Sequence, residues 1–358
     1  MATPYWTNRL ATVADTDALL DLFRLEYEDK YPWFNKAYWQ WRYQDQTGFA
    51  ADVFVADFKG QLIGVLPQTL FDFQWGEQRF RGAMIYGLIT HPDHRRRGVF
   101  RSLVGTCNEH ATQQGAHFTM GIPNDPSLPG YFTFGGWEYL GLIHTHVKIL
   151  SVPAALRPKT GRWLSYALGG VPQLFLLRRR PPLDGPCADC EPCASVPDEL
   201  SDVFDEFARD CGTLMIRRTA PFWNWRFAAK PAAPFHMLVT RQGGRVTGAV
   251  VTSVRERGGT PVGMIADLVC RSGIDGMRQL LRHAADDMRA RGVGVLTCWA
   301  TTPLLRHALD AERYWHPKPQ RLRKNFNYIW RPTGVPGLPR APSKLTDWHL
   351  SFSDSDNT

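Results

Sequence analysis

Hydrophobic and polar positions follow one pattern of helices and strands that occurs twice along the chain. The first occurrence predicts helices over 15–28, 35–43 and 99–114, and strands over 52–58, 61–71 and 118–122, with a further strand ending at Thr90. The second occurrence predicts the same order and includes a helix over 274–291 and a strand over 293–299. Helices interleaved with a meander of strands favour an α/β fold (α+β, mixed sheet), with each copy a mixed, mostly antiparallel sheet flanked by helices.

Residue identities indicate that the two occurrences are copies of one unit. The segment 38–43 (YWQWRY) returns as 222–227 (FWNWRF), an offset of 184 residues. The offset falls to 180 at Met84 and Met264. It falls again to 177 after the region 91–103, so the second copy lacks three residues there. We expect the two copies to differ in chemistry at that gap.

The length of 358 residues suits two domains. We predict an N-terminal domain over 1–150, a linker with a connector helix over 151–190, a C-terminal domain over 191–330 and a polar, Pro-containing tail over 331–358. With 44% hydrophobic and 21% charged residues, the composition excludes a disordered, collagenous or coiled-coil chain. No secretory signal and no apolar run of about 20 residues is found, so we expect a cytoplasmic protein with no membrane span.

The net charge of +8 favours an anionic partner without choosing one. Cys187, Cys190 and Cys193 have a spacing that would suit a metal if Cys211 supplied a fourth ligand. Because no second such motif or nearby histidine completes the set, we favour a linker segment that enters a strand, and we predict no metal.

The segment 91–101 (HPDHRRRGVFR) follows an apolar strand and opens a helix. Pro92 ends the strand, and Gly98 lets the backbone approach a ligand closely. The free N–H groups of a helix N-terminus bind phosphate well. Four arginines in seven residues add attraction for a polyanion, so the segment predicts a phosphate site.

This segment resembles the acyl-CoA loop of the GCN5-related N-acetyltransferases (GNAT), which reads Q/R-x-x-G-x-G/A. Arg95, Gly98 and Phe100 occupy that pattern, although Phe100 replaces the usual small residue. A second signature of the family is similar to Asn124, Tyr131 and the pair Gly136-Trp137. The whole chain resembles tandem members, in which two GNAT-like domains are fused.

The resemblance implies acetyl-CoA or another acyl-CoA as donor, and the amine of an amino sugar, amino acid or amine metabolite as acceptor. It implies a donor site formed by Leu88, Ile89, Thr90, Arg95, Arg96, Arg97, Gly98, Val99, Phe100, Arg101 and Asn124. Tyr131 stands where the family places the general acid for the leaving thiolate, and the alternative is that it only packs over the cofactor. For the general base we consider Glu26, Glu28, Asp72 and His91, none of them compelling.

The second copy lacks the arginine cluster and has Asp275 where a diphosphate would lie. We therefore expect a degenerate loop and a scaffolding role. Trp39, Trp41 and Arg42 recur in that copy, which favours packing, with the arginine held by a carboxylate, over a substrate cage. Asp267, among apolar neighbours, either faces a cleft or is paired and silent.

Two other functions stay open at this point. Tandem folds of this kind also occur in transferases that take an aminoacyl group from tRNA, although the basic residues concentrate in one compact loop. The other alternative is a non-catalytic acyl-CoA or partner-binding module. No DNA partner is expected, and the sequence makes no prediction of the oligomeric state.

Overall fold

The structure is a computed structural model. It describes residues 5–355 except for 27–34, 45–47, 50, 134–135, 157–163, 165–167, 170–181, 184–187, 232–234, 258–259, 272 and 318–325. Most of the predicted connector helix lies outside the described residues, as do Glu28 and Cys187.

The first half of the chain contains the predicted helices and strands. Its strands are β1 (Thr7–Leu10), β2 (Asp52–Phe58), β3 (Gln61–Trp75), β4 (Gln78–Ile85), β5 (Ile89–Thr90), β6 (Phe118–Gly121), β7 (Glu138–Leu142) and β8 (Thr145–Ile149). Its helices are α1 (Thr16–Arg24), α2 (Lys36–Trp39), α3 (Val99–Gln113) and α4 (Leu128–Phe132), and α2 continues into a π-helical turn over Gln40–Gln44.

The second half repeats this order. Its strands are β9 (Asp189–Cys193), β10 (Leu214–Ile216), β11 (Phe235–Gln242), β12 (Arg245–Arg257), β13 (Thr260–Cys270), β14 (Val295–Trp299) and β15 (Asn327–Pro332). Its helices are α5 (Leu200–Cys211), α6 (Ala220–Trp223), α7 (Gly273–Ala290) and α8 (Pro303–Ala311), with a second π-helical turn over Asn224–Ala228 after α6.

The strands form two mixed sheets, as predicted. The first sheet has the order β1-β2-β3-β4-β6-β15-β7, and β5 and β10 also pair with β3. The second has the order β8-β14-β13-β12-β11-β9. Each contains a parallel pair joined by a helical crossover, β4 with β6 and β13 with β14. Ile85 lies opposite Gly121 in the first pair and Ile265 opposite Cys298 in the second, so the sequence offsets of 180 and 177 also relate the two registers.

The two copies exchange strands β8 and β15, and β10 of the second half also joins the first sheet, beside β3. Strand β8 leaves the first half to pair with β14, and β15 leaves the second half to lie between β6 and β7. Strands 145–149 and 327–332 thus belong to the sheet of the other copy. The predicted boundaries at residues 150 and 330 therefore do not separate the two sheets.

The repeated tryptophan motif forms the contact between the copies. The rings of Trp41 and Trp225 stack with centroids 5.1 Å apart, and each indole N–H points to the backbone carbonyl of the other residue, at 2.9 Å from Trp41 and 3.5 Å from Trp225. Both side chains are buried in one hydrophobic core that extends through both halves. The prediction of packing is therefore confirmed.

The predicted polar tail contains a buried segment near its end. Arg331 belongs to β15, and residues 348–355 are buried, with Trp348 fully inaccessible and Asp354 1% exposed. Trp348, Leu350 and Phe352 alternate with polar residues, so their apolar side chains can enter the core.

Candidate functional site

The predicted phosphate loop connects β5 to α3. Pro92–His94 forms a 3-10 turn after the strand, and Gly98, with φ of +93°, is the residue that precedes the helix. Gly98 has no side chain to cap the helix, and the described first turn of α3 contains no acidic residue. The N–H groups of this turn are therefore not covered by a capping side chain, and the helix dipole favours an anion there.

The four arginines of the loop are all exposed. Arg95 donates to Glu26 at 2.5 Å and to the Thr90 carbonyl at 3.3 Å. Arg97 lies 5.8 Å from the centroid of the Tyr5 ring. The structure thus brings these arginines together around the start of α3, where their charge faces solvent.

A wedge opens between β4 and β6 beside this loop. Their parallel pairing ends at Ile85 and Gly121. Ile85 pairs with Gln68 and Ile89 with Val65, so three residues, 86–88, oppose two on β3. This bulge turns the chain away from β6 and gives Gly87 a φ of +62°. We use the term wedge for the space bordered by residues 86–88 and 122–124.

The second family signature forms the other border of the wedge. Asn124 accepts hydrogen bonds from the Ser127 backbone N–H at 2.9 Å and hydroxyl at 2.7 Å, which fixes the start of α4. Tyr131 on α4 is buried, and its ring meets the edges of Phe100 and Trp137, each at 5.1 Å. Burial raises the pKa of Tyr131, so its phenol stays protonated at neutral pH.

Phe100 replaces a small residue of the family pattern, and the structure shows how it is accommodated. A Cβ on Gly130 would lie 3.0 Å from the Phe100 ring. The missing side chain at Gly130 therefore leaves the room that Phe100 occupies between α3 and α4.

The described candidates for the general base do not lie free at the wedge. Glu26 pairs with Arg95. Asp72 is an exposed residue of β3 opposite Arg81. His91 caps the 3-10 turn and accepts from the Asp93 N–H at 3.3 Å.

The equivalent wedge of the second copy is occupied by residues 348–355. The pairing of β13 with β14 ends at Ile265 and Cys298, and the chain end lies beyond it. Phe352 stacks on Trp299 at 4.3 Å, and the Ser353 hydroxyl donates to Asp267 at 3.0 Å. Asp267 stands where the first copy has Gly87, is 1% exposed and pairs with Arg218, so it is a buried structural residue.

The loop before α7 also differs from that before α3. Asp275 lies in the first turn of α7, as the sequence predicts, and its carboxylate accepts from Arg278 at 3.3 Å. A negative charge therefore occupies the end of the helix that would attract a phosphate.

Arg226 of the repeated motif bonds to the end of the chain. Its guanidinium donates to the backbone carbonyls of Ser353 and Ser355. In the first copy Arg42 lies 4.1 Å from the centroid of Tyr86, which begins the bulge. Each arginine also lies near the tryptophan ring of the other copy, Arg42 at 5.3 Å from Trp225 and Arg226 at 6.0 Å from Trp41.

The cysteine segment enters a strand, as favoured from the sequence. Cys190 and Cys193 lie three residues apart on β9 and therefore point to opposite faces. Among the described residues, no cluster of histidine, cysteine and carboxylate side chains has the arrangement of a metal site.

Sequence reasoning missed two residues that β15 brings to the first copy. The Asn327 amide donates to Asp125 at 2.7 Å and to the Pro123 carbonyl at 3.3 Å, next to Asn124. Arg331 packs against Gly136, where an added Cβ would lie 2.9 Å from its Nε. No local motif marks either residue, since both come from the other copy.

Comparison with known proteins agrees with this geometry. Residues 7–140 match the family described as Acetyltransferase (GNAT) domain. No curated protein sequence matches the chain. None of the described helices is long and apolar enough to cross a bilayer.

Three solved structures share the fold over almost the whole chain. A GCN5-related N-acetyltransferase from Anabaena variabilis has a TM-score of 0.64 at 11% identity, covering 92% of this chain and 73% of its own. A probable N-acyltransferase from Enterococcus faecalis gives 0.64 at 10%, with the same coverage. The N-myristoyltransferase of Saccharomyces cerevisiae, solved with myristoyl-CoA and inhibitors, gives 0.59 at 11%, covering 93% and 81%. Residues 7–140 thus carry a GNAT domain, and the whole chain shares the fold of these solved structures.

Proposed function

We propose that the first copy transfers an acetyl group from acetyl-CoA to the amine of a small molecule such as an amino sugar, an amino acid or an amine metabolite. The observation that carries this proposal is the coincidence, in the first copy, of an uncapped helix start with four exposed arginines and a wedge beside it. In the second copy, the described residues at the corresponding places are an acidic first turn and a wedge filled by the chain itself. The second copy then acts as a scaffold.

In this proposal the donor diphosphate lies at the N-terminus of α3. Arg95, Arg96, Arg97 and Arg101 supply charge, and the backbone N–H groups of 98–101 supply hydrogen bonds. Leu88, Ile89 and Thr90 border the thioester arm on one side and Asn124 on the other. Backbone N–H groups of the bulge polarise the thioester carbonyl and stabilise the oxyanion that forms when the amine attacks.

Breakdown of that intermediate releases the CoA thiolate, which must gain a proton. We assign this proton to the Tyr131 hydroxyl, whose ring is held on α4 between Phe100 and Trp137. The attacking amine releases one proton to solvent and Tyr131 regains one from solvent, so the transfer of the acetyl group is balanced. The Tyr131→Phe variant should lower kcat with little change in CoA affinity, and an unchanged kcat would remove Tyr131 from this role.

Calorimetry and thiol release test the function. Acetyl-CoA should bind the wild type, and Arg97→Glu should weaken that binding at least about tenfold, or 1.4 kcal/mol. Free thiol should then appear with some members of an amine library. Binding without turnover for every amine would indicate a binding module instead. Steeply salt-dependent binding of aminoacyl-tRNA with no CoA signal would favour the aminoacyl transferase.

A further inference from the structure

Tyr86 lies at the start of the bulge that opens the wedge, on the face of the first sheet opposite Tyr131. Ile85, the residue before it, packs in the cluster that contains Tyr131 and the buried residues of α3. Successive residues of an extended chain point to opposite faces, and Tyr86 accordingly packs against the cluster that contains Phe23 and Trp39. The Tyr86 side chain is partly exposed. A molecule that binds beside Tyr86 therefore meets the wedge from the side opposite the proposed donor of the thiolate proton.

The Tyr86 hydroxyl is held by polar side chains on two neighbouring elements. It lies 2.6 Å from the Thr69 hydroxyl, and Arg42 donates to the same Thr69 oxygen at 3.4 Å. The Arg42 guanidinium also lies 4.1 Å from the centroid of the Tyr86 ring, a cation–π contact, and Tyr43 stacks on that ring at 6.3 Å. Arg42 and Thr69 are both buried. The network of Arg42, Thr69 and Tyr86 thus fixes the position of the hydroxyl before any ligand binds.

A phenol oxygen at this position can serve an attacking amine. Its two lone pairs allow it to accept a hydrogen bond from an amine N–H in addition to its bond with Thr69. When the amine donates one N–H to Tyr86, the nitrogen lone pair can point towards the thioester carbonyl in the wedge, which orients the attack. Tyr86 can therefore orient the nucleophile, whereas Tyr131 acts on the leaving group.

The second copy has a different set of residues at the matched positions. The offsets that relate the copies place Ser253 and Ala266 where the first copy has Thr69 and Tyr86. Ala266 has no hydroxyl, and the Ser253 hydroxyl is buried with no hydrogen-bond partner in the part of the chain that the structure describes. The motif arginine of that copy, Arg226, donates to carbonyls of the chain end. The network therefore accompanies the copy that has the arginine-rich loop.

We propose that Tyr86 binds and orients the acceptor amine, and that Thr69 and Arg42 are positioning residues that act through Tyr86. The inference rests on the proposed function, because it requires an amine acceptor. Tyr86 accepts a hydrogen bond and keeps its own proton, so the proton that the amine loses passes to solvent.

The test combines calorimetry of acetyl-CoA with the kinetics of the library amine that the wild type acetylates fastest. Tyr86→Phe keeps the ring and its contact with Arg42. It should lower kcat/KM for the amine about tenfold and change the Kd for acetyl-CoA less than twofold. Thr69→Val should lower kcat/KM about threefold, and the double variant should be no slower than Tyr86→Phe, because Thr69 acts through that hydroxyl. Tyr314→Phe removes a buried hydroxyl of the second half and is the matched control, which should change neither quantity.

The thermal midpoint of each variant shows whether it is folded. The inference is overturned if folded Tyr86→Phe has the kcat/KM of the wild type, or if it loses acetyl-CoA affinity in the same proportion as kcat/KM. Additive losses in the double variant would overturn the positioning role of Thr69. If Tyr86→Phe is unfolded, Thr69→Val decides, and a wild-type kcat/KM in that variant overturns the inference. If the wild type acetylates no amine, the proposed function fails and this inference fails with it, whereas acetylation that Tyr86→Phe leaves unchanged refutes this inference alone.

Discussion

The buried ion-pair cluster that fixes the end of the chain in the second wedge gives a quantitative prediction. Arg218 donates to Asp267 at 3.1 Å and to Asp354 at 2.7 Å, and all three side chains are at most 1% exposed. Replacing Arg218 by methionine leaves two carboxylates buried without their cation. Removal of one partner from such a cluster costs about 3–5 kcal/mol in the free energy of unfolding.

The Asp354→Asn variant should cost less, because Arg218 keeps Asp267. Asp354 Oδ2 accepts from Arg218 and from the Ser351 N–H at 2.7 Å, whereas Oδ1 is buried with no partner among the described residues. Asparagine keeps one acceptor. The exchange leaves Arg218 in place and changes about one hydrogen bond, so it should cost about 0.5–1.5 kcal/mol.

The pH dependence of this cost has a defined sign. Burial raises the pKa of Asp354 above its ordinary value of 3.8. The stability that Asp354 contributes is therefore fully present below pH 3.8 and is lost as the pH rises through the higher value of the folded state. The cost of Asp354→Asn should shrink from pH 4 towards pH 7.

Asp347 provides a control of opposite sign in the same segment. Its carboxylate accepts from Arg340 and from the backbone N–H groups of Ser343 and Lys344, and these bonds outweigh the burial that opposes them, so its pKa is lowered. Its contribution is present above pH 3.8 and is lost as the pH falls through the folded-state value. The cost of Asp347→Asn should therefore grow from pH 3 towards pH 7.

Urea unfolding followed by tryptophan fluorescence, at several pH values, measures all three variants. The reasoning is refuted if Arg218→Met costs no more than Asp354→Asn. It is also refuted if the costs of the Asp354 and Asp347 variants change with pH in the same direction.

Three further substitutions test the copy interface and the site. Trp41→Phe removes a buried hydrogen bond of 2.9 Å and should lower the free energy of unfolding in urea by about 1–2 kcal/mol. Trp225→Phe removes only a 3.5 Å contact and should lower it less. Equal losses in the two variants would contradict the difference between these bonds. Asn327→Asp places a carboxylate against Asp125 and should lower kcat/KM about tenfold. His144 lies at the equivalent register position of the second sheet, and His144→Ala should leave kcat/KM unchanged. An equal loss of kcat/KM in both variants would indicate a general effect on the fold. Glu26→Gln breaks an exposed ion pair with Arg95 that is worth about 0.2–1 kcal/mol, and this frees Arg95 for the donor. KM for acetyl-CoA should therefore fall by up to about fivefold with kcat unchanged. A tenfold loss of kcat would instead identify Glu26 as the general base.

The repeat made much of the fold predictable from the sequence. The offset of 184 places Gln68 at the position of Thr252, and each of these residues pairs with the strand that follows, opposite Ile85 and Ile265. The start of a helix could also be predicted, since α3 begins directly after Gly98, as the loop pattern indicates. Local patterns of this kind report backbone conformation and which face is buried.

The pattern within a strand does not identify the strand with which it pairs. Strands β8 and β15 are short, and nothing in their sequences tells which sheet each one joins. The burial of residues 348–355 was missed for a related reason, because Ser351, Ser353 and Asp354 read as surface residues until their partner Arg218 is known. Asn327 and Arg331 were missed as site residues because only the exchanged strand brings them there.

The strand exchange gives the second copy, whose own loop is acidic, a structural part in the candidate site of the first copy. Strand β15 lies inside the first sheet, between β6 and β7, so it borders the strand that forms one side of the wedge. The second half therefore supplies Asn327, which bonds to Pro123 and Asp125 next to Asn124 at the border of the wedge. At the second wedge, the carbonyls of Ser353 and Ser355 accept hydrogen bonds from Arg226. Arg226 belongs to the same motif as Trp225, which stacks on Trp41 of the first copy. The two copies are tied at both wedges, and the first cannot be separated from the second without removing a central strand of its sheet.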